Sequence, residues 1–273
     1  MKALKSVFFW IAVVFIVVLF VFPIVWIFIT GFRPRADILS VSLGKLLFFT
    51  PSLESFRHVF TYTTIVRELV NSAIISVSAT ILVMLFALPA AYSFARWNTG
   101  GGHLLFITLS TRMFPGFLAA MAYFFVYKNT GLMDTHLGLM LFFYYFNISF
   151  ATFLLYGFFR EIAPELEQAA MIDGYSRLEV LRRVTVPLIL PGVAITAVFV
   201  LIFNWNEFLF SMLFTKINAR TVAVGLAMFW GSIEIQWGPM CAAASMAVLP
   251  TLAAAWFMQR YIVRGLTFGA VKG

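Results

Sequence analysis

Six long apolar runs separated by short polar connectors set the pattern of this chain, at about residues 7–30, 70–95, 104–127, 137–158, 191–215 and 239–260. Each reaches the ~20 mostly apolar residues that a helix needs to cross a bilayer. The predicted fold class is therefore an all-α membrane protein with six transmembrane helices. The connectors are too small for a separate folded domain, so residues 1–273 are read as one transmembrane domain.

Composition strengthens this reading. With 62% hydrophobic and 11% charged residues and a mean hydropathy of +0.97, a water-facing surface around one soluble domain is excluded. Lys2 and Lys5 precede the first run, but its apolar core is longer than a secretory h-region and no small-residue cleavage signature closes it before Arg33, so the run is expected to be retained. Cys241 is the only cysteine, which rules out an intramolecular disulfide and argues against a thiol redox centre.

Charge bears on orientation. With the N-terminus inside, ten Lys/Arg fall on the cytoplasmic side, from Lys2 and Lys5 through Arg96, Arg160, Arg177, Arg182 and Arg183 to Arg260, Arg264 and Lys272, against eight outside. The first external loop, with Arg33, Arg35, Lys45, Arg57 and Arg67, opposes the bias, although charge in longer loops counts for less. The net charge of +8 fits anionic lipid headgroups at both faces. No contiguous basic run or stacking platform accompanies it, so nucleic acid is not an expected partner.

Between the first two runs, Leu53, Phe56, Val59 and Phe60 recur at helical spacing and predict an interfacial helix on the outer surface. Ser72, Ser76 and Thr80 in the second run, and Ala243, Ala247, Thr251 and Ala255 in the sixth, give those helices a smooth strip for close approach to protein. Pro89, Pro115 and Pro250 fall within or near spans, where bends are expected.

The hydrophilic stretch Arg160 to Pro191 is the most informative. Pro164 suits a helix first turn, Glu165 and Glu167 favour its positive end, and Ala169-Ala170 combine high propensity with little bulk. Gly174 can take the left-handed conformation that ends this helix. Ser176 with Glu179 forms a Ser-x-x-Glu capping box for a second helix, with Leu178, Leu181 and Val184 on one face. Pro187 and Pro191 stop that helix at the membrane.

This stretch, PELEQAAMIDG in particular, resembles the cytoplasmic loop of binding-protein-dependent ABC importer permeases, whose EAA motif reads Glu-Ala-Ala, then Gly four residues on, then Leu-Pro about a dozen residues later. Ala169, Ala170, Asp173, Gly174 and Pro187 fall on family positions, and the neighbourhood is similar to the carbohydrate-uptake branch. Gln168 stands where the family usually has glutamate, with Glu167 beside it. Trp205-Asn206-Glu207-Phe208, Arg112-Met113-Phe114-Pro115 and the tail Arg264 to Gly273 also resemble sugar and polyol importer permeases.

The resemblance implies a type I importer bundle in the inner membrane of a bacterium or archaeon, with both termini cytoplasmic. It implies that Glu165, Glu167, Gln168, Ala169, Ala170, Asp173, Gly174 and Pro187 form a coupling helix and its surroundings. The implied partners are a second permease chain, two ATP-binding subunits and an external solute-binding protein, with ATP and Mg held by the partner ATPase and no cofactor in this chain.

For the solute path, Asn204, Asn206 and Glu207 interrupt an apolar helix, and an intramembrane carboxylate costs at least ~2.5 kcal/mol unless it faces a cavity or a partner. Asn204 and Glu207 are expected on one face, either against a hydroxylated solute or in an interhelical clasp. Arg112 is expected to snorkel to headgroups or to pair with a carboxylate. Tyr144, Tyr145 and Asn147 add donors and aromatic platforms, although belt or packing roles suit the tyrosines equally.

Catalytic chemistry finds no purchase. There is no P-loop, so ATP binding in that manner is excluded. His58, His103 and His136 are scattered, read as loop residues, and lack metal-ligand spacing. Gly100-Gly101-Gly102 follows a span and reads as a hinge or turn. An ion-gradient transporter and an intramembrane enzyme are the rival classes; the former would want buried ionisable relays and inverted repeats, the latter paired catalytic groups at membrane depth.

Overall fold

The computed structural model describes residues 2–38, 40, 44, 48–230 and 235–270, with only the backbone of 2–4 and 260–270. The side chains of the Arg264 to Gly273 motif therefore lie outside the described residues, as do those of Lys2, Lys45 and Arg260.

Helix dominates. In chain order come α1 (Lys2–Gly31), the single turn Arg35–Ile38, α2 (Glu54–Tyr62), α3 (Ile65–Trp97), α4 (Gly101–Met113), α5 (Gly116–Thr130) and α6 (His136–Glu161). After them come α7 (Pro164–Ile172), α8 (Arg177–Leu188), α9 (Leu190–Asn206), α10 (Leu209–Phe214), α11 (Val222–Ala227) and α12 (Trp237–Ala270). Among the described residues, four helices are individually long and apolar enough to span a membrane: Lys5–Gly31 within α1, α3, α6 and Trp237–Gln259 within α12. The six expected spans are reached when α4 with α5, and α8 with α9, each count as one bent unit.

The expected third span, 104–127, is thus not a straight rod. Phe114 is extended and Pro115 sits at the N-cap of the next helix, where the two halves meet at 85°. Proline removes the amide that would have carried the ladder through. Pro89 and Pro250, by contrast, sit inside α3 and α12, which continue past them as single helices. The expected fifth span, 191–215, also divides: α9 ends at Asn206, Glu207 is extended, and α10 starts at Leu209.

The chain divides into two compact units. The first holds residues 1–68 and 225–249. Here Gly31 allows α1 to approach α12 closely: a Cβ at Gly31 would stand 3.1 Å from Ala242 Cα. Arg33 is buried, its guanidinium over the rings of Trp26 and Phe49 at 5.2 and 5.0 Å. The predicted surface helix forms as α2, but its inward face is Ser55 and Val59, with Phe56 against Phe32, while Leu53 and Phe60 are exposed.

The second unit, residues 69–224 and 250–273, carries the two apolar clusters. In one, Val83, Ala87 and Ala91 of α3 pack with Leu155 and Phe159 of α6 and Val200 of α9. In the other, Ile75 and Ala79 of α3 join Ala120 of α5, Phe142 of α6 and Phe210 and Phe214 of α10. Ser72, Ser76 and Thr80 are all buried, as their small strip requires. The strip on α12 divides differently: Ala243 and Ala247 are buried in the first unit, while Ala255 is exposed. The three histidines are helical residues, His58 in α2, His103 in the first turn of α4 and His136 at the start of α6, which corrects their assignment to loops. Gly100 and Gly101 have φ of +70° and +61° and make the turn into α4.

Candidate functional site

The segment between α6 and α9, the candidate coupling lever, folds from its own sequence. Pro164 takes the first helical position of α7. At its far end the Tyr175 N–H donates to the Ala170 carbonyl and the Gly174 N–H to the Met171 carbonyl, both at 3.1 Å. These two bonds are a Schellman closure, and Gly174 supplies the left-handed residue it needs with φ of +94°. Ser176 then opens α8 with the predicted capping box: its N–H and hydroxyl donate to Glu179 Oε2 at 3.0 and 2.8 Å. These bonds, with Arg183 nearby, hold the Glu179 carboxyl below its ordinary value.

The packed face of α8 is not the one expected. Val180, Leu181 and Thr185 are buried, while Leu178 is 63% exposed. Residues 181–185 form a π turn, which takes one residue more into the turn and moves the face out of step with a 3.6-residue pattern. The helix also runs past Pro187 to Leu188, and the chain turns at Ile189 with an 81° bend into α9.

Glu167 is the inward residue of α7 and is buried. Its two oxygens accept Arg96 Nε and Nη2, each at 2.9 Å, a paired fork of charge-assisted bonds. They also accept the Tyr92 hydroxyl at 3.1 Å and the Thr185 hydroxyl at 3.0 Å. Gln168 points the other way and is exposed, as are Glu165, Ala169 and Asp173, while Ala170 is buried. Leu166, Met171, Ile172 and Tyr175 add exposed apolar surface to this segment, Ile172 most of all at 86%. Pro187 is exposed on α8.

A second polar chain crosses the interior of the same unit. The Asn147 amide donates to Asn204 Oδ1 at 2.8 Å, the Asn204 amide to Thr80 Oγ1 at 3.3 Å, and the Thr80 hydroxyl to the Ser76 carbonyl at 2.7 Å. Arg112 Nη1 completes it with bonds to Asn147 Oδ1 and the Phe146 carbonyl at 3.2 and 2.6 Å. Its guanidinium lies against Phe146, Phe150 and Phe203, 4.5 to 5.8 Å from their centroids. Arg112 is therefore bound to α6 inside an aromatic box, which corrects the expectation of a snorkelling or carboxylate-paired side chain.

Asn204 and Asn147 satisfy each other across α9 and α6. Glu207 does not share a face with Asn204, because α9 has ended; its Oε1 accepts the Phe210 N–H at 2.8 Å and caps α10. Asn206 is exposed and donates to the Ile202 carbonyl of its own helix. Tyr144 is half-buried and meets Phe86 edge-on at 5.6 Å. The five path candidates thus separate: one clasp, one cap, and two side chains at the margin.

At the other end of the unit the loop after α10 is pinned by residues the sequence did not single out. Asp134, with φ of +56°, points its carboxylate at four successive backbone N–H groups, those of Lys216 to Ala219, at 2.9–3.2 Å. Partial burial pushes this carboxyl up, but those four bonds together bring it down to about 2. Asn71 donates to the Asn218 and Arg220 carbonyls, both at 2.9 Å. That fixes its amide, so its oxygen must accept from His136 Nε2 at 2.8 Å and the imidazole carries its proton there.

The chain matches no protein-family model. A probable ABC transporter permease of Sinorhizobium fredii is 36% identical to it, over 97% of this chain and 94% of the relative. The trehalose transport system permease SugB of Mycobacterium tuberculosis is 35% identical over 92% of each. The trehalose/maltose transport system permease MalG of Thermococcus litoralis is 32% identical over 100% of this chain and 99% of its own. Among solved structures, a chain of a bacterial ABC transporter involved in import of the acidic polysaccharide alginate shares the fold, with a TM-score of 0.78 at 17% identity over 95% of this chain and 97% of that one.

Proposed function

Because the chain belongs to the ABC transporter permeases, we propose that it is a membrane-spanning subunit of an ATP-driven importer that moves a sugar or polyol by alternating access. It is a multi-pass membrane protein and a translocation subunit, with hydrolysis assigned to partner subunits. The carbohydrate class is supported by relatives named for trehalose, maltose and diacetylchitobiose uptake. A soluble binding protein delivers the solute, and two ATP-binding subunits, which hold ATP and Mg, drive the cycle. A second, different permease chain completes the path, and residues 1–273 act as this chain's one permease domain in the inner membrane, with both termini cytoplasmic.

The observation that carries this reading is the lever. α7 is closed at its end by a left-handed glycine and fastened from within by Glu167, while Glu165, Gln168, Ala169 and Asp173 face outward beside exposed apolar side chains. Such a surface suits docking on the ATP-binding subunit, with Ala170, Gly174 and Pro187 shaping it. A stiff element passes on a rigid-body displacement, which is what each nucleotide state needs in order to favour one orientation of the path. Asn206 and Tyr144 remain the path candidates outside both the clasp and the cap.

The test is uptake of labelled trehalose and maltose by proteoliposomes holding the assembly that co-purifies with this chain. Uptake that requires internal ATP and added binding protein is expected. Uptake driven by an ion gradient without ATP, or an assembly lacking an ATPase, refutes the proposal.

A further inference from the structure

A helix of nine residues held only by its two connectors would swing at both, and a push on its outer face would be absorbed before reaching a spanning helix. The fold provides a joint against this. Arg96 stands in the last turn of α3. Besides its two bonds to Glu167, its Nη2 donates to the Ile162 carbonyl at 3.2 Å, immediately past the end of α6. Tyr92, one turn earlier on α3, and Thr185, in the π turn of α8, add their hydroxyls to the same carboxylate. Three elements, α3, α6 and α8, thus converge on one ion pair whose side chains are 9% and 5% exposed.

We infer that Arg96 is the positioning residue that fixes the coupling lever to the spanning helix α3, so that Glu167 serves coupling from inside and contact with the motor is left to Gln168 and the exposed side chains around it. The inference rests on the proposed function. Its physical basis is the planar fork of arginine, which fixes direction as well as distance, where an ammonium group would act as a point charge. Burial adds to this, since either partner alone would be an unpaired charge out of water, and the pair therefore holds together through the cycle. The π turn has a purpose in the same arrangement: it brings Thr185, and not an apolar neighbour, to the carboxylate.

The experiment uses the complete assembly in proteoliposomes with maltose and trehalose as probes, and reads solute moved per ATP hydrolysed. Arg96→Lys keeps the charge and removes the fork; the assembly is expected to form and to hydrolyse ATP, with solute moved per ATP falling roughly tenfold, a typical size for coupling between sites. An unchanged ratio, or uptake and hydrolysis falling in proportion, overturns the inference, because a merely structural role would lower the amount of active protein and not the ratio. Tyr92→Phe and Thr185→Val each remove one hydroxyl and retain the pair, so they guard against failed assembly. Each is expected to lower the ratio, the double variant further, and a normal ratio in both overturns the inference independently. Failure of the proposed function reads differently: the unaltered chain would then move solute without ATP.

Discussion

Asp134→Asn isolates a charge with almost no change of shape. Asparagine tolerates the left-handed backbone that Asp134 adopts, so the turn itself is preserved. What changes is the cradle, where a carboxylate with two acceptor oxygens faces the N–H groups of Lys216, Ile217, Asn218 and Ala219. Asparagine offers one neutral acceptor and turns an N–H₂ toward the remaining donors. A carboxyl held at about 2 against an ordinary 3.8 corresponds to about 2 kcal/mol at neutral pH. Contact with solvent at this half-exposed position trims that to about 1 kcal/mol. Hydrogen exchange of the amides of 216–219, in detergent or nanodiscs, is the assay. The variant is expected to lose roughly fivefold in protection at pH 7, as about 1 kcal/mol implies. The sign with pH follows from a folded value below the unfolded one: the stabilisation is fully present above pH 3.8 and is lost as pH falls toward about 2. Wild-type protection, corrected for intrinsic exchange, should therefore decline across that window, and the variant's should not. Equal protection in the two proteins at pH 7 would refute the reasoning.

What the sequence made legible was mostly local. Pro164, Gly174, Ser176 and Glu179 act through neighbours a few residues away, and their caps appear in the structure as the spacing requires. The apolar runs were equally plain, because hydropathy reports the solvent directly. Illegible were the features set by partners far along the chain. Whether Glu167 or Gln168 turns inward is decided by Arg96, 71 positions away, and the only signal was an arginine in the last turn of one span and an acid in the loop after another, two opposite charges expected at one face. The Asn147–Asn204 clasp joins residues 57 positions apart, so one sequence could not choose between clasp and path. The break after Asn206 was hidden for another reason: Phe208 to Phe214 keep hydropathy high across it, and Glu207 reads as a buried charge when it is a cap. Asp134 gives no sequence signal because its turn is short and its four partners lie in a later loop.

Two further perturbations separate structure from function. At Gly174 no atom of the described residues beyond its chain neighbours lies within 4 Å of a new Cβ, so Gly174→Ala bears only the cost of the left-handed backbone, about 1–2 kcal/mol; a thermal melt of the purified chain should show a modest loss with the protein still inserted. Gly174→Pro also deletes the N–H bonded to Met171 and cannot adopt the positive φ, so it should leave insertion intact and uncouple uptake from hydrolysis, and normal transport would count against the lever. For the interior chain, Asn147→Leu or Asn204→Leu alone leaves the other buried amide one hydrogen bond short, whereas the double substitution removes both partners while Thr80 keeps its bond to Ser76 and Arg112 its bond to Phe146. Unfolding in detergent should therefore show the double variant losing less than the two singles together, with a coupling of about 0.6–2 kcal/mol. The same double variant then decides what the asparagines are for. A clasp that only holds α6 to α9 leaves uptake per folded molecule near normal, while amides that touch the solute lower uptake even where the protein is fully folded, so uptake normalised to folded protein distinguishes a strut from a binding surface.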